Sequence, residues 1–181
     1  MSAGERIDVL NEDGEVIDTI DREDAERDNH TTENVLVFVF NSLGRVWVQL
    51  RPMDKAHYPG KWDISACGGV VSGETHEQAA KRETAEETGL EVDLQYLESF
   101  LNIFPGDNGE ERKRLSHLYV GLSDEIPKTN KEVDEFQDWQ PDELRADVLS
   151  NPDNYVPSFV VELDKAVEGY RQLPYTAKKL S

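Results

Sequence analysis

Residues 35–40 read Val-Leu-Val-Phe-Val-Phe, six consecutive apolar residues of which five are β-branched or aromatic. A strand sends successive side chains to opposite faces, so a strand that is apolar at every position has no face left for water. The run is the longest uninterrupted apolar stretch in the chain and falls far short of the ~18 residues that cross a bilayer. It therefore predicts a central strand with a packed layer on each side. Ser42-Leu43-Gly44 then reads as a turn, and Arg45–Leu50 as the second strand of a hairpin.

The remaining pattern fits that frame. Ile7–Leu10 and Glu15–Ile20 read as two short strands joined by a turn at Asn11–Gly14, residues 21–33 as a polar loop, and 51–61, with Pro52, Pro59 and Gly60, as another loop. A short strand is expected at Trp62–Ala66, and further strands near 91–101 and 115–122. Thr75 to Thr88 reads as a helix, because Thr75 and Gln78 make a capping box and Gly89 stands where a helix C-terminal glycine belongs. Pro141–Leu149 and Ser158–Leu173 read as two more, the last with Phe159, Val160, Leu163, Ala166, Val167 and Tyr170 as one apolar stripe. Strands interleaved with helices that cover two faces predict an α/β/α sandwich on a mixed sheet. With no repeat and no composition break, the 181 residues read as one domain, 1–33 forming an N-terminal hairpin and loop and 34–181 the core.

Charge narrows the function. Asp and Glu number 38 against 19 Lys and Arg, a formal net charge of −19. A nucleic-acid binder needs a basic face to displace counterions from phosphates, and an anionic membrane would repel this chain. The opening MSAGERID lacks the apolar core of a secretory signal, and the lone Cys67 allows neither an internal disulfide nor a multi-cysteine zinc site. A cytoplasmic protein without nucleic-acid or membrane partners is expected, with room for a homodimer. The acidity itself fits either a solubilising surface or a salt-rich cytosol.

The stretch Cys67–Leu90, CGGVVSGETHEQAAKRETAEETGL, carries the chemistry. On a helix advancing ~100° per residue, Glu83, Glu86 and Glu87 share an arc of about 100°. Carboxylates at that spacing repel, and the helix dipole disfavours them in the last turns, so folding stability gives no reason for the cluster. A hard divalent cation does, since Mg²⁺ takes carboxylate and phosphate oxygens. Arg82 is placed to pair with Glu86 at i+4. Gly68, Gly73 and Glu74 precede the helix as if backbone must approach a ligand closely.

The stretch resembles the Nudix box, G-x5-E-x7-R-E-U-x-E-E-x-G-U with U a bulky aliphatic residue: Gly68, Glu74, Arg82, Glu83, Glu86, Glu87, Gly89 and Leu90 all match. The one departure is Thr84 at the first U position, which leaves the ligands untouched. The resemblance implies the Nudix fold and a hydrolase that cleaves a diphosphate linkage in a nucleoside diphosphate or nucleoside diphosphate-X compound by water attack at phosphorus. It implies Glu83, Glu86 and Glu87 as ligands of Mg²⁺ or Mn²⁺, Glu87 foremost, joined by a backbone carbonyl of Cys67 or Gly68, with Glu74 in support. The general base varies within the family and often lies outside the box; Glu132 and Glu135 are the candidates.

The flanking run YPGKWDISACGGVVSGET also resembles isopentenyl-diphosphate isomerases, a branch of the same fold and the alternative reading. In those enzymes a cysteine two residues before a metal-binding histidine shuttles a proton at an alkene. Cys67 matches the cysteine, but the two histidine positions hold Gly69 and Glu33. Cys67 is then expected to be a small buried residue, and the chain an isomerase-like hydrolase with the hydrolase box intact. Arg51 and Lys55 align with positions that grip the diphosphate. The cluster Arg112, Lys113 and Arg114 could serve phosphates or pair with Glu110 and Glu111, and the pairing is the expected reading; the four histidines show no metal spacing. Tyr58, Phe104 and Trp139 serve equally as stacking or core residues.

Overall fold

The computed structural model describes residues 4–174; the ends of the expected single domain, and the first three residues of the amino-terminal reading, lie outside them. Its hub is β3 (Thr32–Phe40), which runs parallel to β8 (Glu111–Leu122) over nine register pairs, from Thr32 opposite Arg114 to Phe40 opposite Leu122. On its other side β3 pairs antiparallel with β6 (Ala66–Gly69) and, at Phe40 and Val46 alone, with β4 (Val46–Leu50). The sheet continues through β5 (Trp62–Asp63) beyond β4 and β7 (Leu94–Pro105) beyond β8, with β9 (Glu135–Trp139) also on β4. Among the described residues the sheet has seven strands, and of their pairings only β3–β8 is parallel.

Alternation along β3 divides the core as its composition requires. Leu36, Phe38 and Phe40 enter one cluster with Leu144, Val148, Phe159, Leu163 and Ala166. These come from α3 (Pro141–Ser150) and α4 (Phe159–Gln172). Val35, Val37 and Val39 enter the other with Ala79 and Ala80 of α2 (His76–Thr88), and with Leu90. The expected α/β/α sandwich is thus observed. Both β1 (Arg6–Leu10) and β2 (Val16–Asp21) form the expected hairpin as a separate two-stranded sheet, attached through a bridge from Ile7 to Val71.

Three expectations need correction. The polar loop at 21–33 contains α1 (Arg22–Arg27), a short helix that buries Ala25, and then the start of β3. The strand expected at 62–66 is two strands, β5 and β6, separated by Ile64 and Ser65. Ser65 Oγ accepts from the Val39 N–H (2.8 Å) and donates to the Trp47 carbonyl (2.6 Å), so one hydroxyl bridges β3 and β4 where they diverge. The hairpin of β7 and β8 extends well past 101 and starts well before 115, because its outer half pairs fully despite the charged run Glu110–Arg114. The polar strand β9 carries no apolar alternation and escapes a pattern reading.

α2 begins and ends as read. The Thr75 side chain accepts from the Gln78 N–H, the Gln78 side chain accepts from the Thr75 N–H, and Gly89 closes the helix at φ +71°. Thr84, the departure from the aliphatic pattern, is buried and donates its hydroxyl to the Ala80 carbonyl (2.7 Å). With the hydroxyl satisfied inside the helix, the side chain fills an apolar position.

Replacing Ser65 by Ala strands a buried N–H and a buried carbonyl together. Unfolding in urea should show a loss of about 1–3 kcal/mol with an unchanged m-value.

Candidate active site

A cleft of about 460 Å³ opens beside β6 and α2, and Gly68, Arg82, Glu83, Glu86, Glu87, Arg51, Lys55 and Glu132 line it together. Pieces of chain 80 residues apart meet there because β6 lies against β3 while α2 packs over the same face. Arg82 organises the acids. Its fork reaches both Glu74 oxygens (2.8 and 2.9 Å), Glu83 (2.7 Å), Glu86 (3.4 Å) and the Gly69 carbonyl (3.1 Å). Glu74 also accepts from the Val71 N–H, and the Arg82 bond holds its carboxyl below the usual range. The expected Arg82–Glu86 pair is present, though it is the weakest of these bonds.

Glu87 sits deepest. Its Oε2 accepts from Gln49 Nε2 of β4 (2.8 Å) and from the Cys67 N–H (2.9 Å), which leaves Oε1 to the cleft. Burial, then the neighbouring Glu83, pushes its pKa up to about 8; burial likewise lifts Glu83 to about 7 in spite of Arg82. Gly68 lets the Glu83 carboxylate lie against the backbone: a Cβ there would stand 2.1 Å from it and displace it. Among the described residues no three His, Cys, Asp or Glu side chains are arranged to hold a metal ion. The donors are nonetheless of the kind a hard divalent cation takes: the carboxyls of Glu83 and Glu87, whose pKa values burial raises, with the half-exposed Glu86 beside them.

The flanking residues divide. Arg51 lines the cleft, with its guanidinium 3.1 Å from Asp63 and bonded to the His57 carbonyl. Lys55 pairs with Glu132 at 3.4 Å. Glu135 is exposed on β9, accepts from Gln137 and does not line the cleft. Tyr58 and Phe104 line the cleft, whereas Trp139 packs against the core. Cys67 is half-buried and lines the cleft as well as touching the core; burial, then Asp63 and Glu87, pushes its thiol well above the ordinary range. The pairing expected for 112–114 holds only for Lys113, 3.6 Å from Glu111, while Arg112 and Arg114 line the cleft.

Several site residues lay beyond the sequence reading: Asp63, Arg22 and Glu26 of α1, and Glu162 of α4 line the cleft, and Gln49 reaches it through Glu87. Glu162 is buried, accepts from Asn102 Nδ2 (2.8 Å) and has a pKa raised to about 7 by burial and then Asp63. An acid three residues after Phe159 and four before Ala166, inside the apolar stripe, was its legible signal.

The model of the NUDIX domain matches residues 30–159. An isopentenyl-diphosphate Delta-isomerase of Serratia proteamaculans is 34% identical over 127 residues, 68% of this chain and 70% of that protein. A Nudix hydrolase of Deinococcus radiodurans is 39% identical over 89 residues, 49% of this chain and 52% of its own length. The crystal structure of DR0079 from Deinococcus radiodurans superposes with a TM-score of 0.75 at 28% identity, covering 90% of this chain and 99% of that one. The chain belongs to the Nudix family, and it is a Nudix hydrolase.

With chelator present, the folded chain keeps protons on Glu83 and Glu87 that the unfolded chain has already lost above about pH 4.5. Stability therefore falls as pH rises towards 8. Melting temperatures in EDTA should decline from pH 5.5 to 8.5, and Glu87→Gln should flatten that decline; an equally steep slope in the variant would remove Glu87 from it.

Proposed function

We propose that this chain is a divalent-metal-dependent hydrolase of a diphosphate linkage in a nucleoside diphosphate or a nucleoside diphosphate-X compound. The carrying observation is the cleft's arrangement, with Glu83, Glu86 and Glu87 on one side and Arg51 and Lys55 beside them. The metal is Mg²⁺ or Mn²⁺, held by Glu83, Glu86 and Glu87. When bound it neutralises phosphate charge and lowers the pKa of a water.

The chain's own residues do the rest. Arg82 fixes Glu74, Glu83 and Glu86 in one constellation, and Gln49 with the Cys67 N–H orients Glu87. Arg51 and Lys55 steer the diphosphate against the repulsion of a −19 chain. Water attacks phosphorus, its proton passes to a base, and the bridging oxygen leaves with the electron pair of the broken P–O bond. Glu132 is the base we favour over Glu135, because it alone of the two lines the cleft. The substrate is a small molecule rather than a nucleic acid or membrane, and the setting cytoplasmic; among the described residues no helix is long and apolar enough to cross a membrane.

The isomerase-named relatives raise the alternative chemistry, and two positions speak against it. Gly69 stands where those enzymes are expected to hold an imidazole, and the Arg22 guanidinium occupies that space, 2.5 Å from where a Cβ would be. The second imidazole position is Glu33, which bonds His117 at 3.2 Å.

Glu87→Gln should lower turnover on nucleoside diphosphates at least ~100-fold with the fold intact, while Cys67→Ala should keep most activity. Phosphate release and circular dichroism check both. Conversion of isopentenyl diphosphate to its dimethylallyl isomer by wild type, abolished in Cys67→Ala, would replace this reading by the isomerase.

A further inference from the structure

The loop 51–61 lends Arg51, Lys55, His57 and Tyr58 to the wall of the cleft, and one of its residues is strained. A residue before a proline ordinarily takes an extended backbone. Tyr58, ahead of Pro59, instead sits at φ +49°, a left-handed conformation uncommon for a bulky side chain. Such strain persists only where the surroundings fix it. The turn between β7 and β8 does so: Asp107 Oδ1 accepts from the Tyr58 N–H (3.1 Å), and the Tyr58 hydroxyl donates to the Pro105 carbonyl (2.7 Å).

His57 is clasped beside it. The other oxygen of Asp107 lies 3.0 Å from its Nδ1, and Glu26 of α1 lies 3.1 Å from its Nε2. A neutral imidazole has one N–H and one lone pair, so it serves one carboxylate and turns a lone pair on the other. Both contacts together need the doubly protonated ring. Glu26 foremost, with Asp107, holds the ring's pKa above its ordinary value in spite of burial. Arg112 of β8 opposes the proton, and Arg22 and Arg114 act on Glu26. Tyr58, pushed up to about 12 by burial and then Asp107, stays neutral while His57 titrates. The ring is 33% exposed, so it exchanges protons with solvent.

The same residue holds Arg51. The His57 carbonyl accepts from Arg51 Nε (3.1 Å) and Nη2 (2.8 Å), while Asp63 takes Nη1 at 3.1 Å. Those bonds use three of a guanidinium's five donors to set its direction and leave the others for an anion in the cleft. Asp63 stands on β5, a strand of the sheet. The loop's own bonds, from the Arg51 N–H to the Lys61 carbonyl and from the Gly60 N–H to the Arg51 carbonyl, join its ends. Midway round it, residue 57 is placed by the clasp.

We infer that the His57 imidazolium is a positioning residue: held between Glu26 and Asp107, it fixes the carbonyl that aims Arg51 at the diphosphate, and losing its proton loosens that aim. The anion is the diphosphate of the hydrolase reading, on which this inference rests; the clasp itself stands on its distances. As pH rises through the His57 titration, one carboxylate comes to face a lone pair, the clasp weakens on that side, and affinity for the diphosphate falls.

Two measurements decide it. In the wild-type protein, imidazole ¹⁵N and arginine Nε–H resonances are followed from about pH 5.5 to about pH 9, with His57 assigned as the signal lost in His57→Gln and Arg51 as that lost in Arg51→Lys. His57 should lose its second ring proton well above the ordinary ~6.5, Glu26→Gln should lower that midpoint, and the Arg51 signal should move with it. A His57 midpoint at or below ~6.5, or an Arg51 signal that ignores it, overturns the inference whether or not the protein is a hydrolase. In kinetics with saturating Mg²⁺, ADP, CDP, GDP and UDP are compared and the best substrate is carried forward. His57→Gln donates without the charge, so its KM should exceed the wild-type value about fivefold near pH 6 and converge with it near pH 9. A ratio that does not change with pH makes His57 structural only and overturns its part in aiming Arg51. Turnover of none of the four by wild type would sink the hydrolase reading instead, and the resonance titration then judges the clasp by itself.

Discussion

β3 has no face for water, and the architecture follows from meeting that demand. One row of its side chains is covered by α3 and α4 and the other by α2. Covering the second row is what lays α2 across β6, so the helix that completes the core also delivers the carboxylates. Because β3 and β4 pair directly only at Phe40 and Val46, the space between them is bridged by Ser65 and reached by Gln49, which holds Glu87. Core and site therefore share residues.

Within the cleft, charge is organised against the bulk tendency of the chain. Arg82 gathers Glu74, Glu83 and Glu86, yet burial raises the pKa of Glu83 to about 7 and of Glu87 to about 8. The opposite wall carries the reverse imbalance, Arg112 and Arg114 with carbonyls for partners.

The departures from the isomerase pattern are coherent in three dimensions. Gly69 leaves room for the Arg22 guanidinium, and Glu33 is taken up by His117, itself stacked on His76 at 4.1 Å between ring centres. Cys67 keeps its place but lies beside Asp63 and under Glu87, an environment that opposes the thiolate.

The sequence by itself determined the central strand, the helix 76–88 with its caps, the layered class and the box from Gly68 to Leu90. All of these are local: periodicity, capping and fixed spacing act within a few residues and leave their mark in the chain. The outer half of the β7–β8 hairpin, β9 and α1 were illegible because their residues serve the cleft or the sheet edge and carry no apolar period. Only the tertiary structure decided that Glu132 enters the cleft and Glu135 does not, that Gln49 orients Glu87, and that Arg112 and Arg114 line the cleft while Lys113 alone pairs with Glu111. Each of those outcomes depends on strand pairing between distant segments, and pairing register is set by which rows of side chains can be buried together.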